Sequence, residues 1–171
     1  MAEIKSTLDI IMEKTKGLTM TEEEKEELRQ KELSGKVRGL VQKFLDGLMD
    51  LETFRSEVAA LGGDKQAHAK RIIKEEAVGR ISLGADNHHI LEMLEGVADM
   101  DMGPARDLLD EYGIRLEQEA ASRMQALLDA LEQKGITGSA VIPNLDADPV
   151  WKRHKDESQH ALKEELTGLM E

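Results

Sequence analysis

From Pro104 to Lys134 the chain carries one glycine, Gly113, and no proline beyond the first residue of the stretch. Apolar side chains recur along its whole length at helical spacing. The stretch predicts a single helix of about 30 residues, roughly 45 Å long. A rod of that length exceeds the width of a small domain. It commits the chain to an all-α, elongated helical bundle of six to eight helices, with this helix (about 104–134) as frame or seam. Pro104 is pre-organised for the first helical position, and Gly135 supplies the stop.

The stripe on this rod comprises Ala105, Leu109, Tyr112, Leu116, Ala120, Met124, Leu127 and Leu131. Its spacings of 4, 3, 4, 4, 4, 3 and 4 average about 3.7 residues, nearer an eleven-residue repeat than a heptad. A regular left-handed coiled coil is therefore disfavoured, and a straight bundle helix is expected. Leu108 and Leu128 widen the stripe towards a second partner.

Composition agrees with an all-helical core. The four aromatics are Phe44, Phe54, Tyr112 and Trp151, so the core must come from Leu, Ile, Val, Ala and nine Met. Straight-chain and γ-branched residues keep rotamer freedom in helices, whereas strands favour β-branched and aromatic ones. With 171 residues the chain suits one domain, or a domain with an appendage.

Upstream, Ile4, Leu8, Ile11 and Met12 share one face of a helix expected over 3–16, stopped by Gly17. Thr21 with Glu24 forms a capping-box pattern, and Glu22 to Glu24 complement the positive helix end. Val37, Leu40, Val41, Phe44, Leu45 and Leu48 then make a wide buried stripe. The pattern leaves open whether 21–46 is one helix or two hinged at Ser34-Gly35. Asp50 caps a short helix with Leu51, Phe54, Val58 and Leu61, closed by Gly62-Gly63. Asp64 opens a helix through about Ser82, with Ala69, Ile72, Ile73 and Ala77 inward, ended by Gly84. Asp86 opens the next, where Ile90, Leu91, Leu94, Val97 and Ala98 recur before a turn at Met100 to Gly103.

Past Gly135 the connector Ile136–Ala147 is apolar and β-branched, broken by Gly138 and Pro143, and ordered connections of this length are often functional. Asp148 caps a final helix (about 149–169) whose inner face reads Trp151, His154, Ser158, Leu162, Leu166 and Leu169. Two regions follow: short helices over 1–102, of which 1–62 is a candidate separately mobile part, and the long helix, connector (135–147) and terminal helix over 103–171. The terminal helix is expected to fold back on the long one.

Glu157 and His160 form a Glu-x-x-His pair, the spacing used in carboxylate-bridged di-iron bundles. His89 and Glu92 repeat it in reversed order. Those centres require two pairs in the same order and further glutamates, so these four residues are metal-ligand candidates only, with capping or surface roles the commoner alternative. His154 falls on an apolar face, where a hydrogen-bonded core histidine is the usual role. Asp99, Asp101 and Asp110 occupy positions 1, 3 and 12 of a calcium-loop window, but position 6 is Pro104 and position 12 is not glutamate, which favours a helix-capping turn. Ser139, His154 and Asp156 can be drawn as a nucleophile set, yet no nucleophile elbow surrounds Ser139. Phosphate loops and dinucleotide fingerprints are absent, and no cofactor is called for.

Val141, Ile142 and Leu145 with Pro143 form an extended apolar strip. Such a strip either closes the bundle's own core, the commoner outcome, or docks a partner subunit. Met93, Met100, Met102 and Met124 present the same choice, between an adaptable binding surface and fill for a core short of aromatics, with fill preferred. A net charge of −12 opposes nucleic-acid or anionic-membrane binding. The basic groups Lys36/Arg38/Lys43, Lys65/Lys70/Arg71/Lys74 and Lys152/Arg153/Lys155 each lie among acids. The chain has no cysteine, no basic-then-apolar leader and no apolar run of bilayer length, from which a cytoplasmic protein is expected. The expected role is a non-catalytic interaction or scaffold module forming a homodimer through the long helix. The alternative is a metal-binding bundle or metal-dependent enzyme using Glu157, His160, His89 and Glu92.

Overall fold

The computed structural model describes residues 20–170, and all described regular structure is helical. The helix expected over 3–16 lies outside the described residues. Six α-helices follow in order: α1 (Glu22–Leu45), α2 (Leu51–Ala59), α3 (Gly63–Arg80), α4 (His88–Gly96), α5 (Gly103–Glu132) and α6 (Pro149–Met170), with a 3₁₀ turn at Leu145–Ala147 before α6. No described helix is long and apolar enough to cross a membrane.

The start of α1 is closed by a reciprocal cap. Thr21 Oγ1 accepts from the Glu24 amide at 3.1 Å, and the Glu24 carboxylate accepts from the Thr21 amide at 2.7 Å. The helix then runs unbroken across Ser34-Gly35, which settles 21–46 as one helix. Its stripe is buried at Val37, Leu40, Val41 and Phe44. Leu48 departs from the expected stripe and is 78% exposed. The helix has ended at Leu45, and Gly47 at φ 70° turns the chain so that the helical register no longer carries Leu48 inward.

The element at the centre is α3. It packs against α1, α2, α4 and α6. α1 runs parallel to it, with Arg38 Nε donating to Glu76 at 2.8 Å and Arg80 donating to Gln42 at 2.9 Å. α6 runs antiparallel to it: the Lys74 ammonium donates to the Met170 carbonyl, and Lys163 to the Gly79 carbonyl, both at 2.8 Å. The Gln159 amide seals the α3–α4 turn by donating to the Ile81 carbonyl and accepting from the Leu83 amide. Gly96 ends α4 where α2 begins, and a Cβ there would meet the Leu51 side chain at 2.7 Å, so a larger residue would make that side chain shift.

One core joins the fully buried Phe54, Val58, Ile73, Ile81, Met93 and Leu94 to Leu162 and Leu166 of α6. Met93 and Met102 are interior, so these two act as core fill. From α5 only Ala105 and Tyr112 are buried in the core, with Leu108 and Leu109 packed at its edge. The rod expected from Pro104 therefore exists, but its second half runs clear of the common core.

Candidate functional site

Beyond Tyr112 the long helix continues for about 30 Å, packed against α6 and the 3₁₀ turn. The two helices and the connector form an arm. Its inner end is tied by the Tyr112 hydroxyl, which donates to a Glu165 carboxylate oxygen at 2.7 Å. That acceptor, with partial burial, raises the Tyr112 pKa above 10, because ionising the phenol would set an oxyanion beside a carboxylate.

The outer end is tied at Asp148. Its carboxylate accepts two bonds from Arg123, Nε at 2.6 Å and Nη2 at 2.8 Å, and caps α6 by accepting from the Trp151 amide at 2.9 Å. The Asp148 pKa falls to about 2, first because of the Arg123 hydrogen bonds and then because of the backbone donors of the cap, which together outweigh its burial. Trp151 is buried in this corner, and His154 stacks on it with centroids 5.9 Å apart at 27°. His154 is thus half-buried and held by stacking, not by the hydrogen bond expected of a core histidine.

The connector does not act as one strip. Val141 and Leu145 are half-buried, while Ile142 is 83% exposed. Ile136 and Val150, which flank the connector, are also exposed.

Along α5, Leu116, Ala120, Met124, Leu127, Leu128 and Leu131 are all half-buried, none fully. One flank is apolar without interruption: Ala121, Met124, Leu128 and Leu131 follow at spacings of 3, 4 and 3. That local heptad phase is hidden in the eleven-residue rhythm of the full stripe, because it begins only after Glu117.

The candidate metal ligands lie on different helices. His89 Nδ1 is 3.4 Å from Glu92 on α4, and His160 Nε2 is 3.4 Å from Glu164, rather than Glu157, on α6. All four candidate side chains are at or near the surface. Among the described residues no group of three or more His, Asp and Glu side chains is arranged to hold a metal. Asp101 accepts from the Gly103 amide at 2.9 Å in the turn before α5, and Asp99 pairs with Lys70, so these two acids serve a turn and an ion pair. Ser139 is exposed on the connector, away from any helix.

Sequence reading placed Asp148 as a cap but missed Arg123, Glu165 and Gln159. Arg123 shares the rod's inner face with Ala105, Tyr112, Leu116 and Leu127, and a lone cation in an apolar stripe is the signal that points to a buried acid nearby. Compared with protein-family models, with curated proteins and with solved structures, the chain finds no match.

Proposed function

We propose that the protein is a non-catalytic helical interaction module of the cytoplasm, which self-associates through α5 into a homodimer and presents its arm as a scaffold. The observation that carries this reading is the incomplete burial of every apolar side chain on α5 beyond Tyr112. One neighbouring helix covers one side of a stripe wide enough for two. The flank Ala121–Leu131 is about 15 Å long, and its heptad phase suits a two-stranded contact with an identical flank. Such a contact is isologous, so it closes at two copies. Its small size favours a reversible dimer that depends on concentration. The absence of cysteine is in keeping with a reducing compartment.

Sedimentation equilibrium over the micromolar range tests the proposal. A mass rising towards twice that of the chain is expected, and Leu128→Glu should hold the protein at the monomer mass with an unchanged helical spectrum. A monomer at every concentration removes the dimer.

A further inference from the structure

A broad groove lies at the other end of α6, away from the arm's tip. It has a volume of about 790 Å³, within the range of small-ligand sites. Ala67 and Val78 of α3, Ala98 and Met170 give it an apolar floor. Lys70, Arg71 and Lys74 stand in sequence along its α3 wall. Glu75 shares that wall, so three cations stand against one carboxylate, and the net positive charge attracts an anion in a chain of net charge −12.

The cations are positioned but not used up. The Lys74 ammonium is held at the wall by one bond to the Met170 carbonyl at 2.8 Å and has two further donors. The Arg71 guanidinium contacts His68 Nδ1 at 3.0 Å and lies 3.8 Å from Glu75. Lys70 is paired with Asp99 and Arg71 with Glu75, the guanidinium keeping further N–H donors. Arg71 and Lys74 therefore offer charged donors at the edge of an apolar trough.

We propose that this groove binds a free long-chain carboxylate, with its acyl chain along Ala67, Val78, Ala98 and Met170 and its head between Arg71 and Lys74. Apolar burial supplies the bulk of the affinity, and the two cations select an anionic head over a neutral or cationic one. A single acyl chain suits the volume, whereas a two-chain phospholipid overfills it. The site is separate from the α5 flank.

Titration calorimetry of the full chain with submicellar dodecanoate tests the proposal, with dodecanol and dodecyltrimethylammonium as head-group controls and anionic phospholipid vesicles as the lipid control. Expected is one site per chain in the micromolar range, with both head-group controls weaker by about tenfold, the value of one charge-assisted hydrogen bond pair. The double variant Arg71→Gln, Lys74→Met should lose about tenfold for dodecanoate and little for dodecanol. Ala67→Trp, a change at an exposed position that fills the trough, should abolish binding with the melting curve unchanged. Lys152→Met, Arg153→Gln on α6 should bind as the parent does. No heat with any probe, equal binding of all three head groups, several sites per chain, or uptake by vesicles without binding of free dodecanoate each overturns the proposal.

Discussion

The region around α3 and the arm made by the outer parts of α5 and α6 bury their apolar residues by different means. α3 is surrounded by four helices, and side chains such as Phe54, Ile73, Met93 and Leu94 reach almost complete burial. In the arm, a longer apolar stripe is opposed by one helix and a connector, and only Trp151 becomes buried. The first region is held by close packing summed over many contacts. The second relies on two polar ties, Tyr112–Glu165 and Arg123–Asp148, to fix a pair of helices that dispersion alone holds loosely. Apolar content alone thus does not set burial, because what counts is the number of sides from which a side chain is covered.

Phe54→Ala should give the largest effect. The ring is fully buried and lies 5.6 Å, centroid to centroid, from that of Phe44. Its removal is expected to cost about 3–5 kcal/mol in denaturant unfolding. Against a total of about 5–15 kcal/mol that is a large share, and a loss below about 1 kcal/mol would show that the α3 region is not closely packed.

Leu127→Ala makes the same kind of deletion in the arm. Because Leu127 is only half-covered, the expected cost is about 1 kcal/mol. A cost that instead matches Phe54→Ala at high protein concentration, and shrinks on dilution, would mean that a second chain covers this residue. The pair of variants therefore measures the contrast between the two regions directly.

Much of the arm was legible in advance, and for one reason. Helix ends are set by local chemistry, so Pro104, Gly135, Asp148 and Pro149 predicted α5 and α6 to within two or three residues of the observed Gly103–Glu132 and Pro149–Met170. Burial is not local. Periodicity marks which face of α5 is apolar, but it is silent on how many neighbours arrive, and so it did not distinguish Tyr112, which is buried, from Leu127, which is half-covered. Leu48 fits the period and fails because its helix had already ended. The Arg123–Asp148 pair spans 25 residues and two elements, a distance at which no repeat connects them. The connector stood out in the sequence by its apolar, β-branched composition. That composition gave no basis for separating exposed Ile142 from its half-buried neighbours Val141 and Leu145, since that choice is made by α5 and α6 packing over the segment.

Asp148 lets the arm be loosened without touching the core. Its pKa is about 2 in the folded protein and 3.8 in its absence, so the stabilisation it provides is complete above pH 4 and is lost as the pH falls towards 2. Melting followed by Trp151 fluorescence, which reports this corner, should show an acid limb in that window. Asp148→Asn should flatten the limb and lower the neutral-pH midpoint by several degrees, while the far-UV signal of the α1–α4 helices changes less.

Tyr112→Phe removes a single oxygen atom, and it probes the seam between the two regions. The ring stays in place and keeps its packing against the core, so only the hydroxyl and its bond to Glu165 are removed. Glu165 is exposed and returns to water, which leaves no buried group unpaired, and the expected cost at neutral pH is about 1 kcal/mol. At high pH the difference between the two proteins shrinks. A tyrosine whose folded pKa lies above 10 stabilises the protein fully below that value and loses this contribution as the pH rises through the raised pKa. Phenylalanine cannot titrate, so the gap between the two proteins should close above pH 10. A gap that persists unchanged there would show that the neutral-pH cost comes from disturbed packing of the ring, and that the arm joins the core through apolar contact alone.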